Sequence, residues 1–232
     1  MYSGISIALC VLSAIIFIFI NVKFGGKKGV IAKTCASVMF VLGGAIAIAT
    51  QTVPYYAYIF LAGLILSLAG DILLGIYEID IQKPNKLMLN LGMLSFGLAQ
   101  ICYIIGTILH TSQGVDVVFV PVLLASLIGV IVALLIVVNA GTLKIKFGNM
   151  LWQSLAYCSL ICINLVNALF SIFLVQYTWI LFVAVAFFLA SDLILSFMYF
   201  GDKNTHKMDI ANKTTYYLAQ ITYVVYLFFF IF

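Results

Sequence analysis

Polar residues in this chain are gathered between its apolar ones. Apolar stretches occupy about 4–22, 34–50, 55–76, 87–109, 117–138, 150–172, 179–200 and 214–232, each close to the roughly 20 residues that an α-helix needs to cross a bilayer. The pattern predicts an all-α protein, a polytopic membrane bundle of eight transmembrane helices. The connections are too short to hold a soluble domain, so residues 1–232 read as one integral membrane domain. Composition agrees: 66% of the residues are hydrophobic and 8% charged, far from the balance of soluble domains.

The lysines test the count of spans. All 11 basic residues are lysine. Lys23, Lys27, Lys28 and Lys33 follow the first span, Lys83 and Lys86 the third, Lys144 and Lys146 the fifth, and Lys203, Lys207 and Lys213 the seventh. By the positive-inside rule these connections are cytoplasmic, which puts both termini outside. The first segment has no basic n-region and reads as an uncleaved span. Absence of arginine beside abundant Ile, Lys, Phe and Tyr suggests an AT-rich genome and a bacterial inner membrane as the location. The net charge of +4 is an inner-surface effect and makes no case for nucleic acid. "FGGKKG" (24–29) is a basic turn suited to anionic lipid headgroups.

Asp71 interrupts this order. It is the one charge between Tyr55 and Ile76, and an aspartate at the centre of a spanning helix costs about 2.5–3.5 kcal/mol even on lenient insertion scales. Its surroundings recur. "LAGDILL" (68–74) pairs with "LASDLIL" (189–195), and "LAQICY" (98–103) with "LAQITY" (218–223), at nearly one offset. An even number of spans separates the copies, so spans 3–4 and 7–8 read as a parallel internal repeat. Asp71 and Asp192 then lie at similar depth in the inner half of the bilayer. Asn90, Ser95, Gln153, Tyr157, Tyr216, Tyr217 and Gln220 fall near that level, and Tyr223 continues the stripe of Tyr216 and Gln220. Ser67 and Ser196 each stand one turn from a carboxylate. Together these residues describe a polar pocket opening toward the cytoplasm. The plainer alternatives are interhelical hydrogen bonding for either aspartate and an interfacial aromatic belt for the tyrosines. Glu78, Asp80, Asp202 and Asp209 read as solvated residues of the lysine-bearing connections, and His110 and Asp116 as residues of an outer loop.

Metal chemistry finds no spacing to support it: His110 and His206 fall on opposite sides of the membrane and no CxxC or HExxH occurs. The five cysteines read as small hydrophobes. Without a histidine at membrane level, a Ser-His-Asp triad is excluded. What remains is a carboxylate pair, in which one group holds a proton while the other is ionised, a general acid beside a general base. Gly70 brings no hydroxyl to Asp71 whereas Ser191 precedes Asp192, which favours Asp71 as the acid and Asp192 as the ionised partner. The GxGD word of intramembrane aspartyl proteases is missing. A proton-coupled transporter or lipid carrier is the competing class. Pro54, Pro84 and Pro121 all lie outside the aspartate-bearing spans, whereas carriers break their helices at the site.

In order, "GLILSLAGDILL", "GMLSFGLAQICY", "FFLASDLILSF" and "TYYLAQI" resemble the YhhN-like lysoplasmalogenase family, eight-span membrane hydrolases of the lysoplasmalogen vinyl ether bond. The resemblance is clear over spans 3–4 and 7–8, and Lys33 and Tyr157 extend it. It implies that Asp71 and Asp192 are the catalytic carboxylates. It also implies that Lys33, Tyr157, Tyr217 and Gln220 line the substrate, a lysophospholipid drawn from the membrane lipids, and the pocket reading adds Ser67 and Tyr216 to that lining. No cofactor is implied. Thr34 follows Lys33 where many members have proline, and Gln100 stands where some have histidine.

The topology is directly measurable. In a cysteine-free background, single cysteines at Lys27 and Thr205 stay unlabelled when an impermeant maleimide is added outside intact cells; prompt labelling there would reverse the orientation.

Overall fold

The structure, a computed structural model, describes residues 2–79, 85–113, 119–201 and 205–231. Among them are eight α-helices: α1 (Tyr2–Phe24), α2 (Gly26–Ala49), α3 (Tyr56–Ile79), α4 (Lys86–Ser112), α5 (Phe119–Asn139), α6 (Leu151–Ser171), α7 (Trp179–Phe200) and α8 (His206–Phe229). A short 3₁₀ turn precedes α6. Seven of them, α1 to α7, are long and apolar enough to cross a membrane. α8 is equally long but opens with the polar run "HKMDIANKTT", and hydropathy alone does not qualify it as a span.

Helices extend further than the apolar stretches. α2 begins at Gly26 and α8 at His206, so Lys27, Lys28, Lys33, Lys207 and Lys213 belong to helices and not to the connections expected to hold them. Lysine is a good helix former, and its long stem lets the ammonium leave hydrocarbon. Hydropathy therefore marks the part of a helix that meets lipid, not where its backbone hydrogen bonds begin. Glu78 lies in the last turn of α3, half-buried, and His110 is buried in α4; neither is a solvated loop residue. Asp80, Lys83, Pro84, Asp116, Asp202 and Lys203 lie outside the described residues.

The chain divides into two compact units, one of residues 1–102 with 220–232 and one of residues 103–219. In the first, α1 turns into α2 through Gly25 and Gly26, at φ +56° and +50°, a left-handed conformation that side chains other than glycine rarely adopt. Lipid is as apolar as a leucine, so close packing and hydrogen bonds hold helices together here. A Cβ on Gly43 would stand 3.0 Å from Val224, and one on Gly44 2.7 Å from Leu64. Phe60 packs at 5.0 Å from the Tyr226 ring, and the Tyr56 hydroxyl donates to the Ile231 carbonyl at 3.1 Å. α4 joins α3 where the Ser95 hydroxyl donates to the Leu66 carbonyl at 2.7 Å.

In the second unit α5 lies directly on α6, where a Cβ on Gly129 would meet the Ile163 Cα at 2.6 Å. The Lys146 amide donates to the Phe200 carbonyl at 2.8 Å and the Phe147 and Phe200 rings are 5.1 Å apart, tying the approach to α6 onto the end of α7. Ile161, Leu181 and Phe188 form its buried centre. Large side chains left exposed, among them Leu123, Leu127 and Leu135 of α5, form the surface that lipid covers.

Backbone cannot yield at Gly129 as a flexible side chain would. Gly129→Ala is expected to destabilise the protein by about 1–3 kcal/mol through overpacking, read as a lowered unfolding midpoint in detergent. Gly4→Ala, where nothing lies within 4 Å, changes it by less than about 0.5 kcal/mol.

Candidate functional site

Asp71 sits in the C-terminal half of α3, 1% exposed, beside Gly70, whose missing Cβ leaves room for the Phe96 ring. Its two oxygens are served by α2. The Ser37 hydroxyl donates to Oδ2 at 2.6 Å, and Lys33 Nζ stands 3.4 Å from Oδ1. Lys33 and Ser37 are four residues apart and so share one helix face. A serine side chain is short, and it reaches Asp71 because α2 and α3 run close: a Cβ on Gly75 would stand 3.0 Å from Val30. The Ser37 contact has the length of an ordinary short O–H···O hydrogen bond, and the Lys33 ammonium stands beside the carboxylate as a counter-charge.

Asp192, on α7 in the second unit, has a different environment. It is half-buried, and Oδ2 accepts a hydrogen bond from the Tyr157 hydroxyl of α6 at 2.7 Å. Tyr157 carries no charge to offset. One residue earlier, buried Ser191 is held from α8: the Asn212 amide donates to its carbonyl at 2.8 Å and to its hydroxyl at 2.9 Å. The Ser196 hydroxyl donates to the main-chain carbonyl of Asp192 at 2.9 Å and not to its carboxylate.

Of the residues expected to line a substrate, Lys33 joins Asp71 and Tyr157 joins Asp192. Ser67 and Gln220 are fully buried in the first unit. Tyr216 and Tyr217 are buried in the second, edge to face with ring centres 5.2 Å apart, and Phe188 packs on Tyr216 at 5.7 Å. Tyr223 is absorbed into packing against Phe60. Asn90 and Gln153 are exposed, and Ser95 is committed to α3. Asp209, expected to be solvated, is half-buried and accepts from Lys213, itself buried, one turn along α8.

Two contributors escaped the sequence reading. Ser37 carries a legible signal, standing one turn after Lys33 on the same face. Asn212 carries none beyond the polarity of the α8 start, since its partner lies on another helix.

The two carboxylates have different surroundings, brought by other helices and not by their neighbours in sequence. Gly70 brings no donor to Asp71, but α2 brings a hydroxyl and an ammonium. Asp71 is the carboxylate with a counter-ion, and Asp192 the one with a neutral donor.

A model of the YhhN family matches residues 28–226 of the chain, a range that contains both carboxylates and all their partners. No curated protein and no solved structure matches it.

Breaking the Lys33 pair strands a buried charge. Lys33→Met is expected to cost about 3–5 kcal/mol, and the double variant Lys33→Met/Asp71→Asn to recover most of that loss, because the charge goes with its partner. Detergent unfolding of the four proteins of this cycle checks it.

Proposed function

The chain belongs to the YhhN family, and from that premise we propose that it is a membrane hydrolase of the lysoplasmalogen vinyl ether bond. The observation that carries the reading is the buried Asp71 with Lys33 and Ser37 at hand. Intramembrane ionisable groups held in this way mark functional sites. Multi-pass insertion in the cell membrane, lysine-bearing ends inward and both termini outward, puts these residues where a lysophospholipid resides.

The chemistry asks for an acid and an anion. A proton is delivered to the β-carbon of the vinyl ether, leaving an oxocarbenium ion at the carbon bonded to oxygen. Water adds there and loses a proton. The resulting hemiacetal collapses: its hydroxyl gives up a proton as the C–O bond to the glycerol breaks and the glycerol oxygen takes one, giving a fatty aldehyde and a glycerophospho-alcohol. We assign proton delivery to Asp192, whose partner Tyr157 is neutral, and stabilisation of the cation and acceptance of the water proton to Asp71, kept ionised beside Lys33. The division of labour parallels that of glycosidase carboxylates. Ser67, Tyr216, Tyr217 and Gln220 are assigned to substrate placement. The reaction as written draws only on side chains and water.

Asp192→Asn is expected to lower kcat/KM for aldehyde release by about 10²–10⁴-fold, the range for loss of a general acid, and Asp71→Asn to abolish turnover, with both proteins folded. Activity falls at high pH as the acid loses its proton and at low pH as the anion gains one, giving a bell whose limbs belong to the pair. Carbon protonation adds a solvent deuterium isotope effect above unity. Full activity of either variant, or vectorial lipid uptake with no aldehyde formed, would overturn the assignment.

A further inference from the structure

Away from both carboxylates, α1 and α2 part to leave a groove of about 540 Å³, within the roughly 300–1,000 Å³ of ligand sites. The two helices touch at either end. Gly29 lies against Asn21, where a Cβ would meet the amide oxygen at 2.6 Å, and the Cys10 thiol donates to the Met39 carbonyl at 3.2 Å. Between these points small side chains on α2 leave the space unfilled. Its walls are apolar, built of Ile16, Ile20 and Ile31, and Ile16 and Ile31 are exposed.

The lysine-bearing end of the groove differs from the rest. Phe24 and Lys28 both line it, with Lys28 Nζ 4.9 Å from the centre of the Phe24 ring. Lys23 Nζ stands 5.4 Å from the same ring. The two exposed ammonium groups beside one ring make this end of the groove positive, complementary to an anionic group, and neither pairs with a carboxylate among the described residues. An apolar channel that opens to lipid and ends at two cations matches a single-chain amphiphile with an anionic head.

We propose that the α1–α2 groove binds an anionic lysophospholipid, its alkyl chain against Ile16, Ile20 and Ile31 and its phosphate at Lys28 and Lys23. This site is separate from the carboxylates: Lys28 and Cys35 face the groove, whereas Lys33 and Ser37 on the same helix face α3. α2 is thus a shared wall. The proposal does not depend on the hydrolytic reading, because no groove residue takes part in it.

Cys35 lines the groove and is exposed, while Cys10 and Cys162 are buried, so the protein carries its own reporter. Purified full-length protein in detergent is treated with N-ethylmaleimide and the modification of each cysteine is followed by peptide mass spectrometry. Lysophosphatidylglycerol is expected to slow alkylation of Cys35, and monoacylglycerol of the same chain, which lacks the phosphate, to leave it unchanged. Lys28→Gln is expected to raise the half-protecting concentration about fivefold, the factor for one lysine at an anionic surface, while Lys27→Gln, outside the groove, leaves it as it is. Equal protection by the two lipids, no protection by either, or protection undiminished in Lys28→Gln would each overturn the proposal.

Discussion

A carboxylate enclosed by apolar helices has to be neutralised where it stands, and the pairing of Asp71 with Lys33 and Ser37 governs the helices around it. Its partners sit on one face of α2, so α2 must lie close to α3 along the whole contact. The close approach in turn needs residues without bulk, and Gly44 and Gly75 occupy the lines of contact with Leu64 and Val30. Phe96 then closes the other side, over Gly70. Small residues, helix spacing and the buried charge are parts of one arrangement. Loss of the cation alone costs more than loss of the pair.

Asp192 shows how far environment, and not the residue, sets the chemistry. It is embedded in nearly the same word as Asp71, yet its partner is a phenol from α6, with Asn212 gripping the preceding residue from α8. Partners arriving from other helices give one carboxylate a cation and the other a neutral donor. Two groups of one chemical type are thereby given different electrostatic environments.

The lysines follow the same logic. Lys33 turns inward to α3, Lys213 is buried against Asp209 one turn away, and Lys23 and Lys28 lie over Phe24 at the end of an apolar groove. The four have the same charge and stem. The helix face on which each falls decides whether it neutralises a buried acid, braces a helix end or stays exposed beside an aromatic ring.

Much of this was legible in the sequence for definite physical reasons. Span-length apolar runs predict helices because lipid leaves the backbone no other partner, and an aspartate alone in such a run marks itself through its cost. "LAGDILL" and "LASDLIL" thus marked both aspartates as candidates, and the four motif segments indicated the family that the match over residues 28–226 establishes. Helix ends were not legible: apolarity stops at the lipid boundary, but hydrogen bonding continues through Lys27, Lys28 and Lys207. Nor were the partners. That Ser37 and Lys33 serve Asp71, that Tyr157 serves Asp192, and that Tyr223 packs on Phe60 depend on which helices lie side by side. A sequence carries the periodicity of each helix and so its faces, but contacts between helices are long-range, and only the packed tertiary structure decides which faces meet.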